Sequence, residues 1–193
     1  MTVRAGASIA GAAAAVAVVA LVIVGRDGSG GSTPLEASDN GRGNMQRRAL
    51  EEDFPSAHHF VDNPAIRRLL RSCPITRPNH NIPPGEEDNP GAERSAYYGN
   101  GKLWTVLYGI VHRTPEGMKF PWWRGVRGRL TISGRRLDGP APALRARIPD
   151  GYGLIDFQAT KIFFPTPGCW RATGAVGDEK LSFVTLVVRP ADE

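Results

Sequence analysis

The chain has little to do chemistry with. It carries four histidines, His58, His59, His80 and His112, and none forms an H-x-x-x-H pair or follows a C-x-x-C, so a zinc site has no support. No G-x-S-x-G elbow is present, and Ser133 and Ser182 lie within or beside strand-like segments with no neighbouring base, so the signature of a serine hydrolase is missing. Asp150, Asp156 and Asp178 fall in turns or at strand edges, where local hydrogen bonding is the usual role. Two cysteines separated by 96 positions show no metal-ligand spacing. Lysine is scarce, 4 of 24 cationic residues, while Arg, Ala, Gly and Pro are abundant, a skew that GC-rich coding produces without any functional demand. No cofactor and no catalytic residue is expected, and an enzyme is the less favoured class.

What the sequence does have begins at its N-terminus. Ala5 to Val24 is a run of 20 residues without a charge. At about 1.5 Å per residue, a helix of that length spans a hydrocarbon core of about 30 Å. Arg4 precedes the run, which favours an N-terminus in the cytoplasm and a C-terminal domain outside it. A cleaved signal peptide is the rival, but Val22, Ile23, Val24, Gly25, Arg26 is a poor cleavage site and no cysteine follows for a lipid anchor. The expectation is a single-pass membrane protein, residues 1–25, with secretion as the alternative; in either case the folded part is extracytoplasmic.

Residues 26–43 are rich in Gly, Ser and Asp and read as a flexible linker. Residues 44–96 read as an irregular arm. Within it Asn63 and Pro64 resemble an N-cap and first helical position, which predicts a short helix near 64–72, and a proline-rich connector follows Cys73. From Tyr97 to about residue 190 the pattern changes to short strands punctuated by Gly and Pro. Strands are expected at Lys102–Tyr108, Met118–Trp123, Arg129–Ser133, Leu144–Ile148, Asp156–Phe164, Cys169–Val176 and Leu181–Val188, the last two joined as a hairpin through Gly177 to Lys180. Seven short strands in so few residues, with no long helical periodicity, predict an all-β antiparallel sandwich.

The run PTPGCWRATGAVGDEKLSFVTLVV resembles the last hairpin of bacterial immunoglobulin-like domains. The segments CPITRPN, PPGE, YYGNGKLW, KFPWWRGVRGRLTISGRRLDGPAP, IPDGYG and FPTPGCW resemble, in the same order, a group of uncharacterised exported bacterial proteins, over roughly residues 73 to 189. The resemblance implies an exported immunoglobulin-like β-sandwich and carries no activity.

In an oxidising compartment Cys73 and Cys169 are expected to pair, pinning the arm onto the sandwich. If Trp170 points into the core, strand alternation sends Cys169 to the outer face, where an arm reaches it. Two free thiols are the alternative. The segment Arg113 to Arg147 holds nine cations against Glu116 and Asp138 alone, interleaved with Phe120, Trp122 and Trp123. If Trp123, Arg124, Arg127, Arg135 and Arg136 form one exposed patch, it suits anionic lipid headgroups or an anionic wall polymer. The plainer alternative puts the aromatics in the core and the arginines on a solvated face. The compartment argues against nucleic acid. The function expected is a binding or structural module of the cell envelope, with an envelope hydrolase or an accessory subunit of a membrane assembly as alternatives.

Overall fold

Two β-sheets face each other in the computed structural model of the chain, which describes residues 45, 48–54, 60, 62–90 and 96–189. The strands are β1 (Tyr97–Gly99), β2 (Leu103–Val106), β3 (Ile110–His112), β4 (Met118–Arg124), β5 (Thr131–Arg136), β6 (Arg145–Arg147), β7 (Asp156–Phe163), β8 (Gly168–Val176) and β9 (Glu179–Val188). The first sheet has the order β1-β2-β4-β7-β6 and the second β3-β9-β8-β5. Pairing is antiparallel except between β3 and β9, which run parallel. The β-sandwich expected from the spacing of short strands is therefore present. Two strands escaped the sequence reading, β1 and β3, each of three residues. The expected anchor at residues 5–24 and the linker at 26–43 lie outside the described residues, and among those described no helix is long and apolar enough to cross a membrane.

The β8–β9 hairpin sets the register of the second sheet. Its pairs run from Gly168 opposite Val187 to Val176 opposite Glu179, leaving Gly177 and Asp178 as a two-residue turn. Gly177 has φ 58° at the first central position, where a type II′ hairpin turn needs a positive φ. Alternation then sorts the side chains. Trp170, Ala172 and Val176, with Phe183 and Leu181 opposite, face the first sheet and are buried. They meet Phe120, Trp122 and Ile162, and the Phe120 and Phe183 rings stack with centroids 5.3 Å apart. Gly174 is needed here, because a Cβ on it would overlap the Trp122 indole.

Cys169, with Leu186 and Val184 on β9, faces the other way, yet Cys169, Leu186 and Val188 are all buried. The arm covers them. Leu50, Phe54, Phe60, Ile66, Leu70 and Cys73 belong to the same buried cluster as β9, so the segment before the strands is a third layer, helical at residues 48–53 as well as at the expected 64–70 and irregular from 71 to 90. Its one helix with described ends, α1 (Pro64–Leu70), starts where the Asn63 side chain accepts hydrogen bonds from the Ala65 and Ile66 amides at 2.9 and 3.5 Å, with Pro64 just inside. Ile66 and Leu70, one helical turn apart, form the face that is buried.

Three attachments hold this layer. The Cys73–Cys169 disulfide is formed, with Cα atoms 5.5 Å apart. The Thr76 amide donates to the Val184 carbonyl at 3.0 Å while its hydroxyl accepts from the Val184 amide at 2.8 Å, which occupies part of the β9 edge that short β3 leaves open. Further on, the His80 amide donates to the Tyr97 carbonyl, and the Asn79 side chain binds both the amide and the carbonyl of Gly99, so the connector caps the edge strand β1.

The bond crosses between layers and closes a long loop. Replacing both Cys73 and Cys169 by Ala is expected to lower the unfolding free energy by about 2–5 kcal/mol. Denaturant unfolding of the oxidised protein beside the double variant measures this, and coincident midpoints would contradict it.

Candidate functional site

The five residues Trp123, Arg124, Arg127, Arg135 and Arg136 do not converge. Trp123 lies on the outer face of the first sheet and is only 9% exposed. Arg124, the next residue of β4, points inward and is 2% exposed. Its guanidinium donates to the carbonyls of Gly128 (3.0 Å), Gly153 (2.7 Å), Ile155 (3.3 Å) and Asp156 (3.3 Å), so it staples the loop before β7 to the end of the sandwich. Burial lowers the pKa of this guanidinium, and the nearby Asp156 charge acts in the opposite direction. Arg127 is exposed in the loop after β4. Arg135 is exposed on the outer face of the second sheet, while Arg136 has the opposite parity and binds Asp138 at 2.6 Å. Burial pushes the Asp138 carboxyl up, but the hydrogen bonds from Arg136 and the Cys169 amide outweigh it and hold Asp138 below the usual carboxylate range. The reason for the dispersal is plain in the topology: β4 and β5 belong to different sheets, and each strand alternates its side chains between two faces.

Two surfaces result, on opposite sides of the sandwich. On the second sheet Arg135 stands directly opposite Arg171 of β8, beside Ser133 opposite Thr173, whose hydroxyl lies 2.7 Å from that of Ser182. Both arginines are exposed, and among the described residues neither has a carboxylate partner. Like charges directly opposite on a sheet destabilise it. Arg171 was absent from the sequence-level patch, although Trp170 pointing inward already required its neighbour to point outward.

On the first sheet the outer face carries an aromatic cluster that no sequence signal announced. Trp104 and Trp123 are cross-strand neighbours on β2 and β4, and Tyr97 and Phe157 meet Trp123 edge to face at 5.5 and 5.4 Å. The connector closes over it. Asn81 accepts from the Trp104 indole at 2.9 Å, and Glu86 accepts from the Trp123 indole at 3.0 Å and from the Tyr97 hydroxyl at 3.4 Å. Between connector and sheet is a cleft of about 240 Å³, lined by Pro83, Pro84, Glu86, Trp104, Trp123, Asp156 and Phe157 among others. Nearby, Tyr152, Leu154, Ile155 and Phe157 present apolar side chains to solvent, each about 40% exposed. A second hollow of about 270 Å³, also bordered by Arg124, is lined by Arg129, Ile148 to Leu154 and Gln158 among others. Among the described residues no group of His, Cys, Asp or Glu is placed to hold a metal ion.

No protein-family model matches the chain, and no curated protein matches it. Among solved structures it is similar to an X-ray structure of a candidate lipoprotein from Bacillus anthracis, at 14% identity and a TM-score of 0.34, over 48% of this chain and 77% of the other. A likeness that slight carries no weight for fold or role.

Burial first, then the Glu86 charge and the hydrogen bond to it, raise the Tyr97 pKa above its ordinary value near 10. Because the folded value is the higher one, this contribution to stability is full below the unfolded pKa and is lost as pH rises through the folded value. Glu86→Gln is expected to lower the Tyr97 titration without restoring the ordinary value, since burial remains. Ultraviolet titration of tyrosinate follows it, and an unmoved Tyr97 would contradict the assignment.

Proposed function

We propose that the protein is a membrane-anchored, extracytoplasmic, immunoglobulin-like module of the cell envelope that binds anionic lipid headgroups or an anionic wall polymer rather than acting as an enzyme. The observation that carries the reading is the exposed pair Arg135 and Arg171, held face to face on a sheet surface with hydroxyls beside it. Two cations on directly opposite residues repel each other in the free protein, and an anion between them turns the repulsion into attraction. This pair takes the place of Trp123, Arg124 and Arg136, which are buried or already bonded.

The strand order supports the immunoglobulin-like part. Sheets β2-β4-β7-β6 and β9-β8-β5 follow the A-B-E-D and G-F-C order of that fold, with β3 lying along the final strand. The disulfide supports an oxidising compartment, and the uncharged run from Ala5 to Val24 supports a membrane anchor. A second reading, an accessory subunit of a membrane assembly, is favoured by the exposed Tyr152, Leu154, Ile155 and Phe157.

Cosedimentation with anionic vesicles or anionic wall polymer at low salt is expected to show binding that falls steeply as salt rises. Each arginine near an anionic surface is worth about 1 kcal/mol, so Arg135→Ala with Arg171→Ala should weaken binding about thirtyfold. The same pair of changes should leave the melting temperature unchanged or slightly higher, because a like-charge contact is removed. A wild-type protein that ignores anionic surfaces at low salt would end this reading. Intact-mass measurement of the mature protein should find residues 5–24 retained, whereas an N-terminus beyond Val22 would mean a secreted protein.

A further inference from the structure

We infer that the cleft on the first sheet, between Trp104, Trp123 and Phe157 and the Pro83–Glu86 segment, is a binding site for an organic ammonium group. The cleft lies on the sheet opposite the arginine pair, at the far end of β4 and β7 from Lys119 and Lys161, and its own lining is aromatic and acidic. Three aromatic residues line it, Trp104 and Trp123 as a nearly buried floor and Phe157 at 40% exposure as the open ring, and the negative face of an aromatic ring attracts a cation placed over it. Two acidic residues line the cleft among the described residues, Glu86 from the connector and Asp156 from the start of β7. Glu86 is fixed in place by the Trp123 indole and the Tyr97 hydroxyl.

Asp156 is exposed, and its backbone has φ 68°, a left-handed conformation uncommon outside glycine that Asp and Asn tolerate best among other residues. Arg124 holds that conformation by binding the carbonyls of Ile155 and Asp156. The side chain at the cleft mouth is thereby set by a buried staple rather than by a freely moving loop.

The balance of donors and acceptors decides the class of ligand. Among the described lining residues Arg124 is the one cation, and four of its N–H groups are committed to backbone carbonyls. Among the described residues an anion finds no cation in the cleft with its N–H groups left to hold it. The acidic side chains offer acceptors only, so the complementary guest brings positive charge. At about 240 Å³ the cleft is smaller than the about 300–1,000 Å³ of pockets that enclose whole drug-sized molecules, and it admits one side chain or one headgroup. Both a trimethylammonium headgroup and the primary ammonium of a lysine side chain answer this description.

The test uses the full chain in a nonionic detergent, with the indole N–H signals of Trp104, Trp122, Trp123 and Trp170 observed by NMR. Choline is titrated beside its neutral carbon isostere 3,3-dimethylbutan-1-ol, and N-acetyl-lysine methylamide beside its side-chain-acetylated form. At least one ammonium ligand is expected to saturate, shifting Trp104 and Trp123 and leaving the core indoles of Trp122 and Trp170 in place. Its neutral counterpart should bind at least about tenfold more weakly. Which ammonium wins tells headgroup from side chain. Asp156→Asn, an exchange for a residue that tolerates the left-handed conformation, should weaken binding about tenfold while the melting temperature holds, and Glu86→Gln should do likewise. Equal binding of charged and neutral ligands, undiminished binding by both variants, or no saturable change with either ammonium would overturn the inference. Arg135→Ala with Arg171→Ala should leave ammonium binding intact, so this site and the anionic surface fail or stand separately.

Discussion

The disulfide between Cys73 and Cys169 fixes what the rest of the domain is made of. Cys169 sits on the face of β8 that points away from the partner sheet, and Leu186 and Val188 on β9 are 0% and 1% exposed on that same side. A two-layer sandwich would leave those side chains in water. Burying each such residue is worth about 1.5–3 kcal/mol, so the outer face of β9 cannot stand alone without a cover. The cover is the arm, with Leu50, Phe54, Phe60, Ile66 and Leu70, and it is attached at the cysteine pair and again at Thr76.

The same segment then turns the corner and closes the other side. After Thr76 it caps the β1 edge through Asn79 and His80, and passes over the outer face of the first sheet to place Asn81 and Glu86 on the two indoles. One continuous stretch therefore protects two strand edges, covers an apolar face and builds the wall of an acidic aromatic cleft. Among the described residues the β5–β8 surface with Arg135 and Arg171 stays uncovered, as does the outer side of β4, β7 and β6 with Lys119, Lys161, Arg145 and Arg147.

The sequence made the strands legible wherever they were long enough to alternate. The β8–β9 hairpin could be placed because Trp170 and Phe183 alternate with polar neighbours across a Gly-Asp turn, and the same alternation put Cys169 outside and within reach of Cys73. Strands β1 and β3 were not legible, since three residues hold no period. The arm's contribution to the core was hidden for a related reason: Leu50 and Phe54 are one helical turn apart, a single pair too short to show a period, and the strand face that they help to cover lies far along the chain. The basic patch was drawn from nearness in sequence. Strand parity separates Trp123 from Arg124 and Arg135 from Arg136, and an arginine saturated by four carbonyls looks in sequence like any surface arginine.

The central claim is that the arm is a layer of the fold and not a leash to it. It is tested most directly by comparing the unfolding of a chain that begins at residue 45 with one that begins at residue 96, each followed by circular dichroism and tryptophan fluorescence. The longer chain should unfold in one cooperative transition with the two probes coincident. The shorter chain, with the outer face of β9 and the edge of β1 stripped, should show no cooperative transition and should aggregate. A shorter chain that stays monomeric and unfolds at the same denaturant concentration as the longer one would contradict the account.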